Sequence, residues 1–140
     1  MESSTANLAW AALRVVFGLS MAFFHGYSKV FEGGAAKLLG AVNALGIPFP
    51  TFFAWAAALS EFAGGLLLAL GLATRPAAAF IGCTMLVALY HHTADPFARS
   101  EVALLYFTVA GAAVVLGGGR FALDRFIRLR LPLQARGAGG

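Results

Sequence analysis

The sequence points to an all-α integral membrane protein, a bundle of four transmembrane helices, and three observations carry that expectation. Hydrophobic residues make up 60% of the 140 residues and charged residues only 11%. Soluble domains average about half apolar and about a quarter charged. So few charges cannot cover a water-facing surface, and most of the molecule must be solvated by lipid. Next, four segments approach the roughly 20 apolar residues that a helix needs to cross a bilayer. Finally, the breaks between those segments fall at glycine and proline, where helices stop and start.

The first span is expected at about 8–27. A signal peptide opens with positive charge; here Glu2 precedes the first basic residue, Arg14, so the segment reads as a retained helix. An interfacial helix follows at about 35–45, where Leu38, Leu39, Val42 and Leu45 share one face. Gly46-Ile47-Pro48-Phe49-Pro50 breaks it and leads into the second span, about 51–72. Thr74-Arg75-Pro76 joins that span almost directly to the third, about 76–92, with proline tolerated in the first helical turn. Asp95-Pro96 marks a turn, Ser100 is positioned to cap the fourth span at about 101–117, and Gly117-Gly118-Gly119 ends it.

Residues 1–120 thus form one transmembrane domain. Residues 121–140 form a basic amphipathic tail, in which Arg125, Arg128, Arg130 and Arg136 alternate with Phe121, Leu123, Phe126, Ile127 and Leu131. The closing Gly-Ala-Gly-Gly is expected to be disordered. Loops rich in Lys and Arg stay cytoplasmic. Arg75, Arg120 and the tail arginines share one side, against Lys29, Lys37 and Arg99 on the other, so both termini are expected in the cytoplasm. The tail is suited to anionic membrane lipid. Nucleic acid is not an expected partner, because no binding fold accompanies the charge.

Several function classes fall away. Four spans leave no room for a soluble catalytic module, so an accessory subunit fits better than a self-sufficient enzyme. Cys83 stands alone, which excludes dithiol chemistry within the chain. No glycine-rich phosphate loop or dinucleotide fingerprint is present; Glu32-Gly33-Gly34 and Gly64-Gly65 lack the spacing. His25, His91 and His92 show no metal-ligand spacing, so no metal is expected.

The informative residues are the ionisable ones, since charge in lipid is costly and usually faces the bundle interior. Arg14, Gly18, Met21, His25 and Lys29 recur every three or four residues and share a face of the first span. Gly18, Ala22 and Gly26 permit close helix contact beside them. Glu61 lies near the middle of the second span. Counted from the outer ends at ~1.5 Å per residue, Arg14 is about 20 Å deep and Glu61 about 15 Å deep, so an Arg14–Glu61 ion pair is expected. It reads either as a structural pair or as a polar site for a headgroup or proton. His25, Lys29, His91, His92 and Glu101 converge at the outer end from three helices. Each also has an ordinary explanation: interfacial solvation for the histidines, snorkelling for Lys29, and the helix dipole for Glu101. Thr84 and Ala88 share a face with His91, which favours His91 over His92 as the inward-facing ring.

From Arg14 to Asp124 the chain resembles the DoxX family of small bacterial four-helix membrane proteins. The resemblance rests on Arg14-Val15-Val16-Phe17-Gly18, His25-Gly26, Lys29 and Leu45-Gly46-Ile47-Pro48-Phe49-Pro50. It continues through Glu61-Phe62-Ala63-Gly64-Gly65, Gly71, Thr74-Arg75, Glu101 to Tyr106, and Gly117 to Asp124. Gly117-Gly118-Gly119 stands where Gly-Pro-Gly is expected. The resemblance implies a subunit of a quinone-linked oxidoreductase or oxidative-stress system in the bacterial inner membrane, as in the DoxD-type subunit of thiosulfate:quinone oxidoreductase. It implies no catalytic residue set. A quinone would be the bound molecule, with a partner redox protein or a second copy alongside. Arg14, His25, Lys29, Glu61, His91, His92 and Glu101 are the ligand or proton-relay candidates, and Phe23, Phe24, Tyr90 and Tyr106 the candidate aromatic walls. A small proton, ion or weak-acid transporter and a membrane anchor for a soluble enzyme remain open beside this reading.

Overall fold

The computed structural model describes residues 3–128, and within them every regular element is helical. Helix α1 spans Ser4–Phe31 and contains a π-helical stretch at Met21–Gly26. The Ser3 side chain caps its start by accepting from the Ala6 N–H at 3.1 Å. Helix α2, Gly34–Ala44, follows Gly33, whose φ of +73° turns the chain sharply. Helix α3 spans Pro50–Leu70, α4 spans Thr74–His91 and α5 spans Phe97–Leu116.

Helices α1, α3 and α5 are each long and apolar enough to cross a membrane. Helix α4 has 18 residues, about 27 Å of axis, and Arg75 and His91 at its ends lower its apolar character. It runs back between α3 and α5 on short connections, so it crosses wherever they do. Phe24, Phe52, Phe80, Val115 and many other apolar side chains remain exposed, as expected for a surface facing lipid.

The core is narrow and built from small residues. Ala22, Ala58, Ala78 and Ala113 are completely buried, beside Met21 and Ile81. Helices α1 and α3 touch backbone to backbone: a Cβ on Gly18 would lie 2.5 Å from the Gly65 carbonyl oxygen and 2.6 Å from the Ala69 nitrogen. Glycine here is what permits the approach, as the Gly18–Ala22–Gly26 spacing suggested.

One end of the bundle, where α1 begins and α5 finishes, is tied by polar contacts across the chain. The Trp10 indole donates to the Gly117 carbonyl at 2.9 Å, and the Arg120 N–H donates to Asn7 at 3.3 Å. The Asp124 carboxylate accepts from the Ala73 and Thr74 N–H groups at 2.9 and 3.3 Å, capping α4. Ala73 is held there at a φ of +46°. Ala122 is buried. The chain from Arg120 to Asp124 is therefore part of the bundle, and a division at residue 120 cuts through a packed segment. Residues beyond 128, including Arg130, Arg136 and the glycine-rich end expected to be disordered, lie outside the described residues.

Two capping expectations need correction. Helix α5 begins at Phe97 rather than 101, because Pro96 at φ −56° and ψ 142° already sets its entry. Ser100 therefore lies inside the helix, where its hydroxyl donates to the His92 carbonyl at 3.3 Å. Glu101 consequently falls beyond the first turn and is exposed.

Candidate functional site

The sequence suggested that Arg14 and Glu61 meet, and they do not. Glu61, 2% exposed in mid-helix, is paired with Lys29, whose Nζ lies 2.7 Å from Oε1 and 2.5 Å from Oε2. Arg14, equally buried, donates through Nη1 to the Leu68 and Ala69 carbonyls at 2.5 and 2.6 Å and through Nη2 to the Phe121 carbonyl at 3.3 Å. It thus donates to carbonyls in the last turn of α3, where the Leu68 oxygen also accepts from the Gly71 N–H. The physical reason is register. Arg14 and Lys29 are 15 residues apart (29 − 14) on one helix, roughly 22 Å of axis. The glycine contacts slide α1 along α3 so that Lys29, not Arg14, reaches the level of Glu61. Helix α1 also runs out to Phe31, so Lys29 stays helical and turns inward.

His25 belongs to the same group of side chains. It is half-buried in the π-helical stretch, within electrostatic reach of both Glu61 and Lys29. Its ring packs edge-on against Tyr106 of α5, with centroids 5.1 Å apart. A π-helical turn widens a helix locally and recurs at functional sites; here it spans the residues that lead from Met21 to His25. One level along, the Ser60 and Thr84 hydroxyls share a hydrogen bond of 2.7 Å between α3 and α4.

Beside Lys29 a cavity of about 260 Å³ opens under α2. Its walls are Ala35, Ala36 and Leu39 of α2 and Thr51, Ala54 and Trp55 of α3. Mostly apolar walls with a few convergent polar groups are the usual character of a small-molecule site. Lys29 is the group that joins the cavity to the buried carboxylate.

The remaining candidates lie apart. His91 is exposed at the end of α4, its ring 5.0 Å from that of His92. His92 is the half-buried one of the two, and its Nδ1 lies 2.7 Å from Asp95 Oδ2 in the following turn. That hydrogen bond, supported by the charge of Arg99, holds the Asp95 carboxyl below its usual pKa. The preference for His91 as the inward ring is thus reversed. Of the four aromatic candidates, Phe23, Phe24 and Tyr90 point outward, and Tyr106 alone stands by the site. No group of three or more metal-ligating side chains occurs among the described residues.

Thr51 and Trp55 were not among the residues singled out from sequence. Their spacing of four at the start of a span is a signal, but an ordinary one. In the sequence Gly64-Gly65 lacks phosphate-loop spacing and contributes to the DoxX resemblance; in the structure Gly65 is the surface against which α1 sets its register.

A family model for DoxX matches residues 9–94, which is more than half of the 140-residue chain. The chain belongs to the DoxX family. The match covers α1 to α4 and includes His25, Lys29, Glu61 and the whole cavity wall, while Tyr106 and Glu101 lie beyond it. No curated protein and no solved structure matches the chain. DoxX membership and apolar helices together make this a membrane protein.

Proposed function

We propose that this DoxX protein is a membrane subunit of a quinone-linked redox system, and that the cavity beside Lys29 and Glu61 receives the head of a quinone or a related oxygen-bearing aromatic molecule. The observation that carries the reading is Lys29, which lines the cavity and is paired behind it with the buried Glu61. An ammonium group has three N–H donors. Glu61 accepts the hydrogen bonds of Lys29 in the structure through its two oxygens, so one donor remains for a ligand. The charge of Lys29 is already balanced by Glu61, so the site favours a neutral molecule with a carbonyl or hydroxyl oxygen over an anion. Trp55 offers a flat apolar face and Thr51 a second hydrogen-bonding group. The volume, about 260 Å³, lies just below the roughly 300–1,000 Å³ usual for ligand sites, which suits a single ring with its tail left in lipid.

Reduction of a quinone takes two electrons and two protons. The electrons would come from a partner redox protein. The protons would arrive through Glu61 and His25, which lie within electrostatic reach of each other. The protein would then reside in the bacterial inner membrane with both termini cytoplasmic, the arrangement that the arginines at positions 75, 120, 125 and 128 favour. A second reading, proton or weak-acid transport, draws on the same His25–Glu61 neighbourhood, and acidification measured in proteoliposomes separates it from the first.

Binding of a short-chain quinone, followed by quenching of the emission of Trp10 and Trp55 in detergent, tests the proposal. Lys29→Met should weaken binding at least about tenfold through loss of a charged donor, and Thr51→Val should weaken it less. Unchanged affinity in both variants, with native helix content, overturns the reading.

A further inference from the structure

A larger cavity, about 750 Å³, opens at the opposite end of the bundle, where α4 begins and α5 finishes. Nothing in the quinone reading uses it. We propose that this cavity binds a phosphate group.

Charge makes the first argument. Arg75 comes from the start of α4, and Arg125 and Arg128 from the segment after Asp124; all three line the cavity. Against them stands one lining carboxylate, Asp124, so the wall carries a net charge of +2 (three positive, one negative). Guanidinium groups match phosphate in both geometry and charge. Asp124 is held by the Ala73 and Thr74 N–H groups and, among the described residues, forms no ion pair with the three arginines, whose guanidinium donors stay available. Arg75 spends a single contact, a 3.3 Å hydrogen bond from Nη2 to the Val115 carbonyl.

The second argument is independent of charge. Thr74 is 1% exposed, yet its hydroxyl has no hydrogen-bond partner among the described residues. Leaving such a group unpaired is costly, and a native structure seldom does so without a reason. Thr74 lines the cavity, and its Oγ1 faces Gly118, another part of the same wall. A Cβ on Gly118 would overlap the Ala122 Cβ and stand 2.8 Å from that oxygen, so only glycine fits against the hydroxyl, and a ligand oxygen reaches it by a small shift of the Gly118 turn. A phosphate oxygen would supply the missing partner.

The shared chemistry is a phosphate carried either by an anionic lipid headgroup or by a soluble phosphate compound. The test uses the full-length protein in neutral detergent. Inorganic phosphate is titrated in one arm, with melting temperature as the readout. In the other arm, native mass spectrometry measures retention of phosphatidylglycerol against a phosphate-free glycolipid of the same chain length. Either phosphate binding or selective retention of phosphatidylglycerol is expected, and the arm that responds identifies the source. In that arm, Arg125→Gln and Arg128→Gln should each weaken binding about tenfold, as loss of a charged hydrogen bond does. Arg99→Gln, at the other end, should leave it unchanged. Thr74→Val should weaken binding without lowering the melting temperature of the ligand-free protein, because its hydroxyl has no partner there to lose. No response in either arm, or equal loss in Arg99→Gln, overturns the proposal.

Discussion

Glu61 is the most deeply buried charge at the Lys29 end of the bundle. A carboxylate buried in mid-helix is tolerated because Lys29 reaches it with short contacts to both oxygens. Removing one member leaves an uncompensated charge and costs several kcal/mol, about 3–5. Lys29→Met and Glu61→Leu should each lower the melting temperature in detergent, and the double variant should recover part of the loss. Arg14→Leu combined with Glu61→Leu should instead show additive losses, since the two share no partner. Coupling in the second pair and none in the first would reverse the assignment. Asp95 offers a pH test in the turn between α4 and α5. Its pKa is depressed by the hydrogen bond from His92, so the folded value lies below the unfolded one, about 3.9. The contribution is therefore complete above that value and fades as pH falls through the lower, folded value. Amide protection at residues 92–100, taken relative to the unstructured exchange rate at each pH, should be lost in the acid range below the unfolded value. Asp95→Ala should abolish the acid step.

Helix α1 and helix α3 meet where neither has side chains to spare. A Cβ on Gly18 would collide with backbone atoms of α3, which cannot rotate away. Gly18→Val therefore forces the helices apart, at a cost of about 1–3 kcal/mol for overpacking. The same displacement should draw Lys29 from Glu61 and weaken quinone-analogue binding although residue 18 is distant from the cavity. Gly40 in α2 is the control: nothing lies within 4 Å of its Cβ position. Gly40→Ala should leave binding intact and should raise stability slightly, by about 0.4–1 kcal/mol, through the unfolded chain. If Gly18→Val melts and binds like the wild type, the close crossing is not what sets the register. Near the cavity, the chain enters α3 through Phe49 in a left-handed conformation, which places Thr51 and Trp55 on the wall beneath α2.

The whole molecule has a polar site near each end, and orientation decides which faces the cytoplasm. With Cys83 replaced by alanine, a cysteine introduced at Ala94 should react with an impermeant thiol reagent added outside intact cells. One introduced at Arg125 should react only after lysis. The opposite pattern would turn the molecule over and place the arginine-lined cavity outside.

Much was legible in the sequence because lipid imposes simple demands. Length, apolar content and the glycine and proline breaks determined the helices, their order and the membrane setting, since each spanning segment must satisfy its own backbone. Periodicity determined the buried face of α1, on which Arg14, Gly18 and Met21 are all buried. Only the tertiary structure decided which charge meets which. A helical pattern states the face a residue occupies, but its opposite number depends on how far one helix slides along another. That slide is set by the contact of Gly18 with backbone atoms of Gly65 and Ala69; the small-residue spacing of α1 announces a close approach but does not say which residues of α3 it meets. The slide gave Glu61 to Lys29 and sent Arg14 to the carbonyl end of α3, while the turn after α5 brought Asp124 to Thr74 from 50 residues away.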